Sequence, residues 1–359
     1  MNKVRIIFSL SVLFILINVT IFSIVKINEQ QRIGSALDTH LDRLEAHFKM
    51  LMYHQSLTAD AAYKSTVNKK VVIDILSEAS GDSTKERKAV LRKKLQKILD
   101  AKYKILKAKG VLQYHFVLPN NKVFLRMHKP SKFGDSLADI RFSFKYTNST
   151  HKKVSGFEQG KTSHGFRNVY PIFDENKNLI SSIEISFSSD EIQEHLTTIG
   201  KIHTHFLVYK HILDEKAWIR EDIVNKYIIS AENPEYLITM TKNHLKKTCV
   251  DENKKRLEPI LSQIDEKIFR GEKFALYSKY NDKVFVVSFY PIKNIKDKKT
   301  VAWIVSYEND DFINMTLKSN LYIEIISFLI LIVLFYFIYR VFNQKIEIDI
   351  ELKEKSKIL

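Results

Sequence analysis

The chain has 359 residues, enough for one large or two modest domains, and a hydrophobic content of 45% supports a substantial core. The net charge of +16 favours anionic partners, but the basic residues are spread over Lys-rich helices without a compact basic tract, so no nucleic-acid partner is expected. The single cysteine, Cys249, excludes an intrachain disulfide framework and a thiolate metal cluster.

Residues 6–25 are nearly uncharged. A run of about 20 residues at ~1.5 Å each crosses a ~30 Å hydrocarbon layer. Lys3 and Arg5 precede it, and Lys26-Ile27-Asn28-Glu29 follows. The run is longer than the apolar part of a signal peptide, so it reads as an uncleaved anchor. From 27 to 67 the chain reads as one stalk helix. Leu37, Leu41, Leu44, Phe48, Leu51, Gln55, Ala59 and Ala62 recur at steps of three and four. Ser83-Thr84-Lys85-Glu86 reads as a capping box. It opens a second helix with Leu91, Leu95, Ile98 and Leu99 apolar, which Gly110 ends.

The period then changes to two. Residues 111–118 and 122–128 flank Pro119-Asn120-Asn121 and predict a hairpin. A looser polar stretch covers 131–151. Strands are predicted over 152–158, 164–173 and 179–188, with a turn at 174–178 and a helix over 190–198. A second cycle follows: a strand over 202–210, a helix over 253–270, and strands over 272–280, 283–293 and 300–307, with Asn281-Asp282 as a turn. Residues 321–341 form a second apolar run. Tyr322, Tyr336 and Tyr339 lie near its ends, as interface aromatics do. Glu324, its one acid, is expected at the outer interface. Lys3 and Arg5 before the first run, and Arg340 and Lys345 at the end of the second, place both termini in the cytoplasm. The segment between is then extracytoplasmic.

The stretches 170–192 and 290–312 align without a gap at an offset of 120. Tyr170, Pro171 and Ile172 recur as Tyr290, Pro291 and Ile292; Ser186 matches Ser306, and Asp190 matches Asp310. A repeat of this kind is one supersecondary unit used twice. The two copies differ in charge. Glu158 faces Ser278, Arg167 faces Val287 and Glu184 faces Ile304. A buried charge is costly unless paired or used, so a polar ligand site is expected in the first copy.

Taken together, RMHKPSKFGD (126–135), GFEQG (156–160), GFRNVYPIF (165–173) and SIEIS (182–186), with the flanking apolar runs, resemble the double-Cache sensor domains of bacterial receptors, most similar to the third double-Cache subfamily. The resemblance covers roughly residues 30–315. It implies an α+β fold: a long N-terminal helix and two tandem PAS-like antiparallel-sheet modules, flanked by two transmembrane helices. The expected organisation is a cytoplasmic N-terminus at 1–5, a membrane helix at 6–25 and a stalk helix at 27–67. A membrane-distal module at 68–200 and a membrane-proximal one at 201–315 follow, then a membrane helix at 321–341 and a short tail at 342–359. The resemblance further implies ligand binding in the distal module and signalling across the bacterial inner membrane to a kinase, cyclase or chemotaxis output. The 18 residues after Val341 carry no such motif, so the output is expected in another polypeptide, or the receptor is truncated. The stalk stripe packs either on the sheets or on a second subunit, and a homodimer is expected.

Arg126 and His128 lie two apart on a strand, hence on one face, and Arg167 lies on another strand of the same module. An Arg fork suits a carboxylate, and His128 can donate or accept near neutral pH. These three are the first candidates for a small anionic or zwitterionic solute. Asp135 would hold an amine or fix the ligand-bearing loop, and Tyr170 would cap the pocket. Glu158 and Glu184 are read as structural partners. The competing reading is an internal network of Arg126 or Arg167 with Glu158 or Glu184 that orders the sheet. His195, His203, His205 and His211 form another cluster. His203 and His205 share a strand face, but no carboxylate or cysteine stands at ligand spacing beside them, so no metal is expected. No cofactor is expected either. The absence of G-x-S-x-G, H-E-x-x-H and P-loop motifs argues against an enzyme. The alternative to a sensor is a periplasmic interaction module that docks a binding protein or partner receptor.

Overall fold

The structure, a computed structural model, describes residues 3–160, 164–211, 227–239 and 247–358. Residues 161–163, inside the glycine-rich motif stretch, and the side chain of Cys249 lie outside the described set. The fold is α+β, with one long N-terminal helix, two antiparallel sheets and a long C-terminal helix. Helix α1, Lys3–Val67, carries both the apolar run and the stalk stripe. Helices α2, Lys70–Ser80, and α3, Lys85–Ala108, follow. The cap of α3 is Thr84, whose side chain accepts from the Arg87 amide, and not Ser83, whose hydroxyl bonds the Glu78 carbonyl. The chain leaves α3 through Gly110, at φ +83°, a left-handed position that glycine occupies without a Cβ penalty.

The first sheet contains β1 Val111–Val117, β2 Val123–Arg126, β3 Val154–Gln159, β4 His164–Phe173 and β5 Leu179–Phe187, in the order β2-β1-β5-β4-β3. Helix α4, Phe142–Thr150, precedes β3, and α5, Ser189–Gly200, follows β5. The second sheet contains β6 His203–Tyr209, β7 Tyr227–Ile229, β8 Tyr236–Thr239, β9 Phe274–Tyr280, β10 Lys283–Lys293 and β11 Thr300–Asn309, in the order β7-β8-β6-β11-β10-β9. Helices α6, Lys247–Leu257, and α7, Leu261–Arg270, stand between β8 and β9, and α8, Asp311–Ile358, ends the fold. Apart from β7 the two orders correspond strand for strand. The stretches aligned at the 120-residue offset, β4–β5 and β10–β11, hold equivalent places. Asn281 and Asp282 both take positive φ at the β9–β10 turn, as a two-residue hairpin turn of type I′ requires.

Two compact units emerge: residues 1–39, 281–284 and 309–359 in one, 40–280 and 285–308 in the other. In the first, α1 and α8 each contain a stretch long and apolar enough to cross a membrane. Phe14 packs edge-on against Phe328 and Phe335, Lys26 Nζ lies 3.6 Å from Glu324, and Asn320 donates to Glu29. In the second unit, Ala59 and Ala62 of α1 join Leu76, Leu95 and Leu99 against Tyr114, Phe116, Ile183 and Ile185 of the first sheet. Farther down α1, Leu44 and Phe48 enter a separate core with Phe157, Phe166, Phe206 and Ile304. Helices α6 and α7 cover Phe289, Trp303 and Val305 of the second sheet.

Two helices go unannounced in the sequence. Helix α2 follows α1 after only Asn68 and Lys69, without glycine or proline to mark the break. Helix α4, FSFKYTNST, is built from residues of modest helix propensity. It forms because Phe144 is buried with Val117, Val123 and Val169 on the sheet face away from α3.

Phe116 is fully buried. Its replacement by Ala is expected to cost about 3–5 kcal/mol, read as a lowered urea midpoint with unchanged slope. A loss below ~1 kcal/mol would contradict this packing.

Candidate functional site

Strand alternation puts one set of polar residues on the α4 side of the first sheet. His115 of β1 stands opposite Arg126 of β2 and opposite Glu184 of β5. Arg167 of β4 stands opposite Ser186 of β5 and Gly156 of β3, and Glu158 lies two residues beyond Gly156. Arg141, at the N-terminus of α4, closes over them.

These groups interlock. Arg167 donates through Nη1 to Glu184 and to Gln113 (3.0 Å), and through Nε to the Glu158 carbonyl (3.1 Å). Arg141 Nε donates to Glu158 (2.9 Å), and its Nη2 lies 2.9 Å from Glu184. The Ser143 amide donates to the other Glu158 oxygen at 3.0 Å. All four charged side chains are at most 5% exposed. Burial opposes ionisation of both glutamates, yet Arg141 and Arg167 hold Glu184 well below the usual carboxylate range and Glu158 below it too. His115 lies 3.4 Å from Glu184, and burial lowers its pKa to about 4. Among the described residues, neither of its ring nitrogens makes a hydrogen bond.

The structure distributes the predicted residues over three places. Arg126 makes a two-pronged bond to Asp135 at 2.7 and 2.8 Å, and that bond lowers the Asp135 pKa. The Asp135 side chain is 37% exposed, so the pair forms the rim of the polar face. His128 is exposed, with its ring 6.3 Å from that of His115. Arg167 lies in the buried network with Glu158 and Glu184. Tyr170 is not with them. Three residues beyond Arg167 on the same strand, it faces the opposite side, donates to Asp60 of α1 at 2.7 Å and stacks on Tyr63. A cavity of about 830 Å³ reaches Glu158 between Phe142 and Tyr146 of α4 and residues 294–301.

Arg141 and His115 were missed in the sequence. Gln113 and His115, two apart inside an apolar strand, were the available signal for one; Arg141 stood in a stretch with no pattern. Of the histidine cluster, His203 and His205 come together. His195 lies 3.4 Å from Glu191, and His211 lies 3.8 Å from Glu235. Among the described residues no three His, Cys, Asp or Glu side chains group as a metal site.

Replacing Glu184 with Gln would leave two guanidiniums against one carboxylate, at a cost of about 3–5 kcal/mol. The depressed glutamates contribute stability above the usual carboxylate pKa, which is lost as pH falls through their folded values. His115 acts over a higher range. Its unfolded form takes a proton near pH 6.5 and its folded form only near 4, so its contribution falls as pH drops from about 6.5 to 4. Relative to the wild type, His115→Gln should therefore be more stable at pH 5 than at pH 7, measured by denaturant unfolding at both values. An unchanged difference would refute the buried neutral imidazole.

A family model described as dCache_3, the double sensory domain of two-component sensor kinases, matches residues 53–245. No curated protein matches the chain. Among solved structures, it is similar to the sensor domain of the histidine kinase DctB of V. cholerae, at 12% identity over 77% of this chain and 98% of that one, with a TM-score of 0.42. It is also similar to the sensory domain of the Campylobacter jejuni chemoreceptor Tlp3 with isoleucine bound, at 14% identity over 80% and 97%, with a TM-score of 0.37.

Proposed function

The chain belongs to the dCache_3 family, the double sensory domains of two-component sensor kinases, and from that membership we propose that it is a two-pass membrane receptor subunit whose first sheet module binds a small extracytoplasmic solute. The observation that carries this reading is the polar interior of that module. A sheet face that would ordinarily be apolar instead holds Arg141, Arg167, Glu158, Glu184 and an imidazole with no hydrogen bond among the described residues. Such groups are expensive to bury, and a site for a polar solute is a use that justifies the cost.

The charges on this face balance: Arg126, Arg141 and Arg167 against Asp135, Glu158 and Glu184. That balance supports a zwitterionic solute over a plain anion. Arg126 and Asp135 at the rim are the exchangeable pair. A solute carboxylate takes the Arg126 fork, and its amine takes the Asp135 carboxylate so released. His128, exposed two residues beyond Arg126, offers a further donor, and Arg167 is held through Glu184. Tyr170, on the other face, takes the stalk-helix contact. Binding then biases the module between two arrangements, and the signal passes to the second membrane helix.

The full-length protein in lipid nanodiscs, screened by thermal shift against amino acids and dicarboxylates, tests this. A cognate solute at a hundredfold excess over its Kd stabilises by about 2.7 kcal/mol, and Arg126→Ala should abolish that rise. If a confirmed solute protects Arg126→Ala as well as it protects the wild type, the assigned rim is wrong.

A further inference from the structure

The second sheet contains an ionisable cluster that the solute site does not use. His203 and His205 project from the same face of β6, with their Nε2 atoms 3.1 Å apart. His205 Nδ1 lies 2.7 Å from Glu232, and both side chains are fully buried. Glu232 is fixed in turn, because Tyr307 and Ser230 both donate hydroxyl hydrogen bonds to its carboxylate. Glu232 Oε1 accepts from His205 Nδ1, an arrangement in which His205 Nε2 faces His203 Nε2.

We propose that His203 and His205 form a two-imidazole site for a borderline divalent ion of the zinc, copper and nickel class. Two imidazole nitrogens ~2.0–2.1 Å from a tetrahedral zinc lie about 3.3 Å apart, and a square-planar cis pair lies somewhat closer, at about 2.9 Å. The observed separation falls between these values. A carboxylate on the far nitrogen of a ligating histidine fixes its tautomer and raises its basicity, and Glu232 occupies that position on His205. His203, half-buried, binds as its Nδ1–H tautomer and admits the ion. The expectation of no metal rested on the lack of a carboxylate at short spacing. Glu232, 27 residues beyond His205, supplies it through the fold, as an orienting group and not as a ligand.

The test uses the full-length protein in nanodiscs, carrying a tag without histidine and stripped with chelator, then titrated calorimetrically with Zn²⁺ and Cu²⁺. One Zn²⁺ per chain is expected, with tighter binding of Cu²⁺ and an electron paramagnetic resonance signature of two equatorial imidazole nitrogens. His203→Ala, at a partly exposed position, should keep the fold and weaken binding at least tenfold. Glu232→Gln should weaken it about 10–100-fold. Arg126→Ala should leave it unchanged, which separates this site from the solute site. Absence of bound ion, a single-nitrogen signature, or unchanged affinity in His203→Ala would each overturn the proposal and leave a plain histidine–histidine hydrogen bond.

Discussion

The reciprocal neutralisation of two guanidiniums and two carboxylates inside the first sheet constrains everything built around it. Arg141, Arg167, Glu158 and Glu184 come from α4, β4, β3 and β5, so no element can shift without leaving a buried charge unpaired. Such a network adds little net stability compared with an apolar core of the same volume. Its effect is to permit few arrangements, and a module with few discrete arrangements is what a solute can bias.

The second sheet repeats the strand order but not the electrostatics. Glu184 is replaced at the repeat offset by Ile304, which stands opposite Phe206 where Glu184 stands opposite His115. The neighbouring position carries the charge instead. His205 pairs with Val305, and Val305 belongs to the core shared with α6 and α7. On these strands, then, the ionisable groups of the two sheets lie on opposite faces, one away from the main helices and one toward them. Divergence within a duplicated frame has changed which side of the sheet is polar while leaving the backbone order alone.

Much of this was legible from period and spacing. Alternation over 164–173 and 179–188 anticipated β4 and β5, and the offset of 120 anticipated the matching strand orders. The stalk stripe placed Leu44, Phe48, Ala59 and Ala62 on a buried side of α1. The partners of the charged residues were half legible. Glu158 and Glu184 were read as partners for an arginine, but Arg141 was invisible, because its place depends on α4, whose sequence has weak helical preference and forms by packing Phe144. The face on which Tyr170 lies was legible from parity, since an odd step from Arg167 reverses it. The His205–Glu232 contact had no local signal, because it is closed by chain return and not by spacing.

The two cores that share α1 impose a rule of their own. Leu44 and Phe48 belong to one and Ala59 and Ala62 to the other, along a single uninterrupted helix. Each residue added to or removed from the intervening turns rotates one contact against the other by about 100° and displaces it by about 1.5 Å. The stretch between them is therefore a ruler: its outward letters are free to drift, while its length is not.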